Sequence, residues 1–451
     1  MKQTIFMAAL TFFGCFGSFA IAPFVGLAVY ILYAVLRPQF MWQWSLPEGI
    51  QWSLFVALAT IFATVVRGLA PPAPVPGRWP PSPIRFTAGH VLFFLFGLWL
   101  AASYAQALKP ELGNDHMVEY GKLYLMCAVG VIAIRTVRHV WAIALIYGLA
   151  TAYIAYEINF LYFVDGYLGI VRNGYGGHDS NGAGLLLALG LPMCVCAWEL
   201  YRGWYRWLFA ALVPVLVHAV LMTYSRGAML SLAVAAPLWV FRGTGRDRKQ
   251  KIALAVVVLA MVPFLAGPQI QERFFSIASY KEDDSAQSRF TSWTIGLQIA
   301  AEYPVFGVGV RGSPDLTYAR GADIEGRAIH SQYIQIAADN GFVGLFLYCG
   351  IAFLALRDTQ AVIRAARGRD DPDSRRAYLG AVGIQSALAA FLFGAIFLSC
   401  EAFEPQYYLF LAATQLRLAY LSSPEPVPEA PRPVVPPLPP LPPLQAARSA
   451  G

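Results

Sequence analysis

Three side chains in an otherwise greasy sequence have the chemistry to handle a phosphorylated substrate. Arg226 stands in Thr-Tyr-Ser-Arg-Gly, Arg289 in Gln-Ser-Arg-Phe-Thr-Ser-Trp, and His330 opens His-Ser-Gln-Tyr-Ile-Gln-Ile-Ala-Ala-Asp-Asn-Gly. A guanidinium is always charged and presents a fork of donors that fits a phosphate. A histidine, with an ordinary pKa of about 6.5, takes a proton from a hydroxyl near neutral pH. Each residue also has a bland reading. Arg226 as a snorkelling loop arginine and His330 as a helix-end histidine bonded to its neighbours both stay open at this point.

The elements that must position these groups are membrane helices. Of the 451 residues, 57% are hydrophobic and only 13% charged, with a mean hydropathy of +0.53. That composition belongs to a polytopic all-α membrane protein. Apolar stretches long enough to cross a bilayer fall near 14–36, 50–69, 88–107, 120–134, 139–157, 181–199, 207–223, 227–241, 252–266, 341–356, 377–398 and 405–421, about twelve crossings. Residues 4–36 read either as one long retained anchor or as two short helices broken around Gly17-Ser18 and Pro23; two crossings there put the N-terminus outside. Six cysteines fall in or beside apolar stretches with neither disulfide nor zinc spacing, and read as packing residues. After residue 421 the chain turns Pro-rich, so residues 1–421 form the membrane domain and 422–451 a disordered cytoplasmic tail.

Charge sets the sidedness. One set of alternate loops holds the basic clusters Arg67 to Arg85, Arg135 and Arg138, Arg202 and Arg206, Arg242 to Lys251, and Arg357 to Arg376. The opposite short loops carry only Arg37, Lys109, Lys122, Arg172 and Arg226. The positive-inside tendency makes the first set cytoplasmic and sends the long polar interval 267–340 to the other face, the periplasm in a bacterial inner membrane. The net charge of +7 follows from these anchors and calls for no nucleic-acid partner. Neither a Walker-type phosphate loop nor a Gly-rich dinucleotide fingerprint is present, which argues against an ATP-driven pump.

Within the interval, Arg289 heads a helical-looking stretch with Trp293 on the same face. Pro304-Val-Phe-Gly-Val-Gly-Val-Arg311 then makes a turn whose glycines suit close approach of backbone to a ligand. Tyr333 follows His330 at helical spacing. His178-Asp179-Ser180-Asn181 is a polar turn before an apolar helix, read mainly as a cap beside an outer cavity. His178, Asp179, Asn181, Arg311 and Tyr333 are accessory candidates, whereas His90 and His218, inside apolar runs, read as packed or hydrogen-bonded.

Taken in order, Tyr-Ser-Arg-Gly, Ser-Arg-Phe-Thr-Ser-Trp…Pro-Val-Phe-Gly-Val-Gly and His-Ser-Gln-Tyr…Asp-Asn-Gly-Phe-Val-Gly resemble the O-antigen ligase and O-antigen polymerase superfamily. Pro23-Phe-Val-Gly…Arg37-Pro and Asp179-Ser-Asn-Gly-Ala-Gly-Leu…Leu191-Pro resemble its branch of O-glycosylation ligases found beside exosortase systems, although that branch commonly reads Asp-Asn-Asn at 179–181. The resemblance implies a fold related to membrane-embedded C-type glycosyltransferases, and a metal-independent, cofactor-free enzyme using a polyprenyl-diphosphate-linked glycan as donor. It implies that Arg226 and Arg289 bind the donor diphosphate and that His330 serves the acceptor, as general base or by orienting its hydroxyl. The acceptor is lipid A core or protein for a ligase, and another lipid-linked glycan for a polymerase. A flippase of the same lipid-linked glycan is the alternative from another class, and a membrane scaffold a third.

Overall fold

A computed structural model describes residues 2–67, 79–166, 169–242, 248–253, 255–257, 260, 284–322, 328–400 and 402–422. Most of the stretch expected near 252–266, residues 267–283 of the polar interval and nearly all of the Pro-rich tail lie outside these. Thirteen longer helices organise the described residues. They are α1 (Lys2–Ala20), α2 (Pro23–Leu36), α3 (Trp52–Arg67), α4 (Ala88–Ala105), α5 (Asn114–Ala133), α6 (Val137–Asp165), α7 (Ser180–Leu200), α8 (Trp204–Met222), α9 (Arg226–Val240), α10 (Asp284–Glu302), α11 (Gln332–Ala366), α12 (Pro372–Gly394) and α13 (Glu404–Leu421). Seven of them (α1, α4, α6, α7, α8, α11 and α12) are long and apolar enough to cross a membrane, and α2, α3 and α9 are shorter apolar helices. The chain is an all-α multi-pass membrane protein.

The ambiguous first stretch is two helices. Pro23 occupies the first turn of α2, where its missing N–H costs nothing, and Ile21 and Ala22 donate back to the Gly17 carbonyl to close the turn. The pair packs closely because its contacts are small: a Cβ on Gly26 would lie 2.0 Å from Ser18 Oγ and 2.1 Å from Thr60 Oγ1. Thr4 Oγ1 donates to the Ser45 carbonyl at 2.6 Å, so the start of α1 shares an end of the bundle with the loop after α2.

At the centre lies α7, buried around nearly its whole circumference by α6, α8, α9 and α12. Glycines on and around it allow this crowding, with Gly190 against Thr151, Gly184 against Ala228, and Gly394 of α12 against Leu185. The basic residues gather at one end. There Arg138 and Arg376 both meet Asp373, Lys251 meets Glu199 at 2.6 Å, and Arg242 donates to Gln360. The opposite end gathers the start of α5, α7, α9, α11 and α13 with the last turn of α2 and α12, and all the candidate site residues stand at it.

Helix α11 is interrupted rather than begun at Gly341, whose φ of 72° and ψ of 174° break the ladder. Val308 N–H donates to Ala338, Gly309 N–H to Asp339, and Phe342 N–H to Pro304, so the Pro304–Arg311 turn supplies partners at the break. The sequence suggested that the turn's glycines face a ligand. Instead they let backbone meet backbone: a Cβ on Gly307 would sit 2.3 Å from the Asp339 carbonyl carbon, and one on Gly341 1.9 Å from the Val305 oxygen.

Gly341→Ala is therefore expected to destabilise the protein by on the order of 2 kcal/mol or more. Gly368→Ala, at a φ of 79° with nothing within 4 Å, carries only the left-handed backbone cost of about 1 kcal/mol. Melting temperatures in detergent check the difference; equal losses would remove the steric argument.

Candidate functional site

Four non-glycine residues among those described adopt left-handed backbone: Arg37 (φ 48°), Tyr224 (53°), Arg311 (61°) and His330 (57°). Each costs about 1 to 2 kcal/mol and persists only where the surroundings hold it. All four lie at the end of the bundle opposite the basic clusters, and three are themselves arginine or histidine.

Tyr224 turns the chain from α8 into α9. Thr223 Oγ1 accepts from Ser225 N–H at 3.2 Å, and Ser225 Oγ caps the new helix by accepting from Ala228 N–H. Arg226 is thereby the first residue of α9, its half-buried side chain starting at the positive end of the helix dipole. Arg289 comes to the same place from α10. It lines a narrow cleft with Ser225, Gly227 and Ala228 of α9, Asn181 of α7, and Phe397. The cleft holds about 10 Å³, room for a single water.

His330 reaches this neighbourhood through Trp293. The indole Nε1 donates to the His330 carbonyl at 3.3 Å, and the ring packs on Phe397 with centroids 6.3 Å apart. Arg289 and Trp293 are one helical turn apart on α10, so one helix carries the arginine and grips the histidine's backbone. On either side of His330, Ile329 N–H donates to Gln335 Oε1 at 3.2 Å and Gln332 N–H to the Ala395 carbonyl at 2.8 Å.

Most of the remaining His330 motif is buried scaffold. Gln335 fills every hydrogen-bonding position of its amide: Oε1 accepts from Ile329 N–H and Ser399 Oγ, and Nε2 donates to Ser313 Oγ and Asp339 Oδ2. Asp339 Oδ1 in turn accepts from Ser313 N–H at 2.7 Å, and Gln332 Oε1 from Cys400 N–H at 2.6 Å. Tyr333 donates to the Leu392 carbonyl at 2.6 Å and packs on Tyr348, and it does not line the Arg289 cleft.

The polar turn before α7 divides between two roles. Asp179 is the cap, with Oδ1 accepting from Gly182 N–H at 2.7 Å, and Asn181 faces the Arg289 cleft. His178 faces a second cavity of about 200 Å³, where Arg37 Nη1 approaches its Nε2 at 3.1 Å. Burial and the Arg37 guanidinium push the His178 pKa down to about 3, so the ring is neutral there and accepts from the guanidinium. Arg311 lines that cavity also. Arg37 and His178 lie 141 residues apart in sequence, and no local signal joins them. Of the other histidines, His90 closes a capping box with Thr87 and His218 pairs with Asn159 between helices.

Residues 210–349 match the family model described as O-antigen ligase. The chain is similar to a protein of Salmonella muenchen named "O-antigen polymerase", at 24% identity over 285 residues, which cover 61% of this chain and 68% of that protein. The family match takes in Arg226, Arg289, Arg311 and His330.

Asp339→Ala leaves the buried Ser313 N–H and Gln335 amide short of an acceptor and is expected to cost about 1 to 3 kcal/mol per stranded group, read as a lowered melting temperature. Below about pH 6.5 an unfolded chain protonates His178 while the folded chain does so only near pH 3, so stability falls as pH drops through that window. The fall in melting temperature from pH 7 to pH 5 should be smaller in His178→Gln than in the wild type; an equal fall would contradict the neutral, desolvated histidine.

Proposed function

We propose that this chain, which matches the O-antigen ligase family model over residues 210–349 and is similar to an O-antigen polymerase, acts as a member of that superfamily and moves a glycan from a polyprenyl-diphosphate donor to an acceptor hydroxyl at the end of the bundle carrying Arg226, Arg289 and His330. The supporting observation is the convergence of α9, α7 and α10. Arg289 of α10 lies against the helix end that starts at Arg226, and α10 also holds the His330 backbone through Trp293.

In this reading the two guanidiniums bind the diphosphate, and the first N–H groups of α9 add the positive end of a helix dipole. The acceptor oxygen forms a bond to the anomeric carbon as the bond from that carbon to the diphosphate oxygen breaks. His330 takes the hydroxyl proton, and polyprenyl diphosphate leaves with its charge held by Arg226 and Arg289. A single displacement inverts the configuration. The charge neutralisation falls to arginines, so the reaction proceeds without a divalent cation. The cleft has room for one water, so donor binding moves Arg289 and Phe397 away from the start of α9.

The reading sets this end of the bundle at the periplasmic face of a bacterial inner membrane. The gathering of Arg138, Arg242, Lys251, Arg375 and Arg376 at the opposite end supports it, since cytoplasmic loops carry the excess of Lys and Arg. The acceptor separates a ligase, which joins the glycan to lipid A core or protein, from a polymerase, which extends another lipid-linked glycan. The family description favours the first and the name of the Salmonella relative the second.

Purified protein reconstituted with a labelled polyprenyl-diphosphate glycan is expected to release polyprenyl diphosphate in the presence of a chelator. Arg226→Ala, Arg289→Ala and His330→Ala should each lose roughly tenfold or more in rate. Undiminished release in all three overturns the site assignment, and glycan crossing the bilayer without release makes the protein a flippase. A ladder of products on the polyprenyl carrier identifies a polymerase.

A further inference from the structure

The cavity of about 200 Å³ around Arg37 and Arg311 is not used by the reaction as described. It meets the Arg289 cleft at Leu398, which lines both, and the start of α7 separates them, with His178 on one side and Asn181 on the other. Both arginines hold left-handed backbone, a cost that arginine has no intrinsic reason to bear. Arg37 is braced by its contact with neutral His178 and by the Phe40 ring, 4.4 Å from its guanidinium carbon. Among the described residues Arg311 makes no side-chain hydrogen bond or ion pair, and Arg37 no ion pair.

The acidic groups here do not neutralise them. Asp179 is engaged in capping α7, while Glu119 lines the cavity and, with Glu404, acts on Arg37 from beyond ion-pair distance. His116, on the Arg311 side, is held below its ordinary pKa by burial and by Arg311. Two half-buried guanidiniums and two imidazoles thus face a pocket the size of a small substituent on a sugar ring, with Asp179 and Glu119 in its wall but neither ion-paired to an arginine among the described residues.

We infer that this cavity binds an anionic substituent, a phosphate or a carboxylate, on the acceptor saccharide. The inference rests on the proposed transfer reaction, in which Arg226 and Arg289 already serve the donor diphosphate, so a second basic cavity across Leu398 serves the other substrate. It makes the enzyme selective for charged acceptors, since a sugar without the group offers no anion to the two guanidiniums. Forked donors on two sides also fix the sugar's orientation toward His330.

The test uses the full chain in detergent with glucose 6-phosphate, glucuronate and glucose as probes, followed by thermal shift. Polyprenyl diphosphate is present at saturation, to occupy the donor site. Glucose 6-phosphate or glucuronate is expected to stabilise the protein and glucose not. Arg37→Gln and Arg311→Gln, each checked for an unchanged melting temperature without probe, should weaken that response at least tenfold in midpoint concentration. Arg289→Gln should leave it unchanged while weakening the response to polyprenyl diphosphate.

Equal responses to the charged sugars in wild type, Arg37→Gln and Arg311→Gln overturn the inference and leave the transfer reaction standing. Loss of the sugar response on saturation with polyprenyl diphosphate assigns the cavity to the donor and also overturns it. If either arginine variant fails to fold, the other decides. A charged-sugar response that needs both arginines, in a protein that never releases polyprenyl diphosphate, keeps the cavity and removes the reaction.

Discussion

The cavity-bearing end of this bundle depends on how one membrane helix breaks. Where α11 is interrupted at Gly341, backbone groups lose their partners in a setting that supplies little water, and each left unpaired costs several kcal/mol. The Pro304–Arg311 turn supplies those partners, and beside the break lies a buried network centred on Gln335, whose amide has no bonding position to spare. Its partners are the residue before His330, the serine two residues after Arg311, the serine next to Leu398, and Asp339 at the break. One side chain therefore ties together three backbone segments that border the two cavities, and the left-handed turns at His330 and Arg311 are held from both sides.

A rigid frame of this kind is what charge-stabilising catalysis requires. In the proposed reaction Arg289 moves as the donor binds, and a frame that already fixes the His330 and Arg311 turns leaves little further reorganisation as charge develops. The frame also divides the work within the motifs. Arg289 lines the narrow cleft beside the start of α9, whereas Gln332, Tyr333, Gln335 and Asp339 hold loops in place. The asymmetry of charge fits the same scheme: the ion pairs of Asp373 and Glu199 anchor the opposite end, while Arg37 and Arg311 have no carboxylate at ion-pair distance among the described residues.

Much of this was legible in the sequence because hydropathy and charge are local. Every expected crossing that falls among the described residues is helical. The cap at Asp179, the pairing of Arg289 with Trp293 on one helix, and the structural use of His90 and His218 follow from short-range patterns. What was not legible needed contacts between distant segments. Arg37 counted only as one of the few basic residues of the opposite loops, because its partner His178 is far along the chain. The glycines at 307 and 309 looked ready for a ligand because only the fold brings the α11 break against Gly307 and Ala107 against Gly309. Residues 4–36 stayed ambiguous because Pro23 suits either a kink or the first turn of a new helix, and only packing against α3 decides.

The central claim is that Arg226 and Arg289 jointly hold the donor diphosphate at the start of α9. A structure of the protein with bound polyprenyl diphosphate tests it most directly. The account predicts phosphate density between the two guanidiniums and against the first N–H groups of α9, with Arg289 and Phe397 displaced to open the narrow cleft. Diphosphate bound elsewhere, with Arg289 still closed on Ser225 and Gly227, would contradict it.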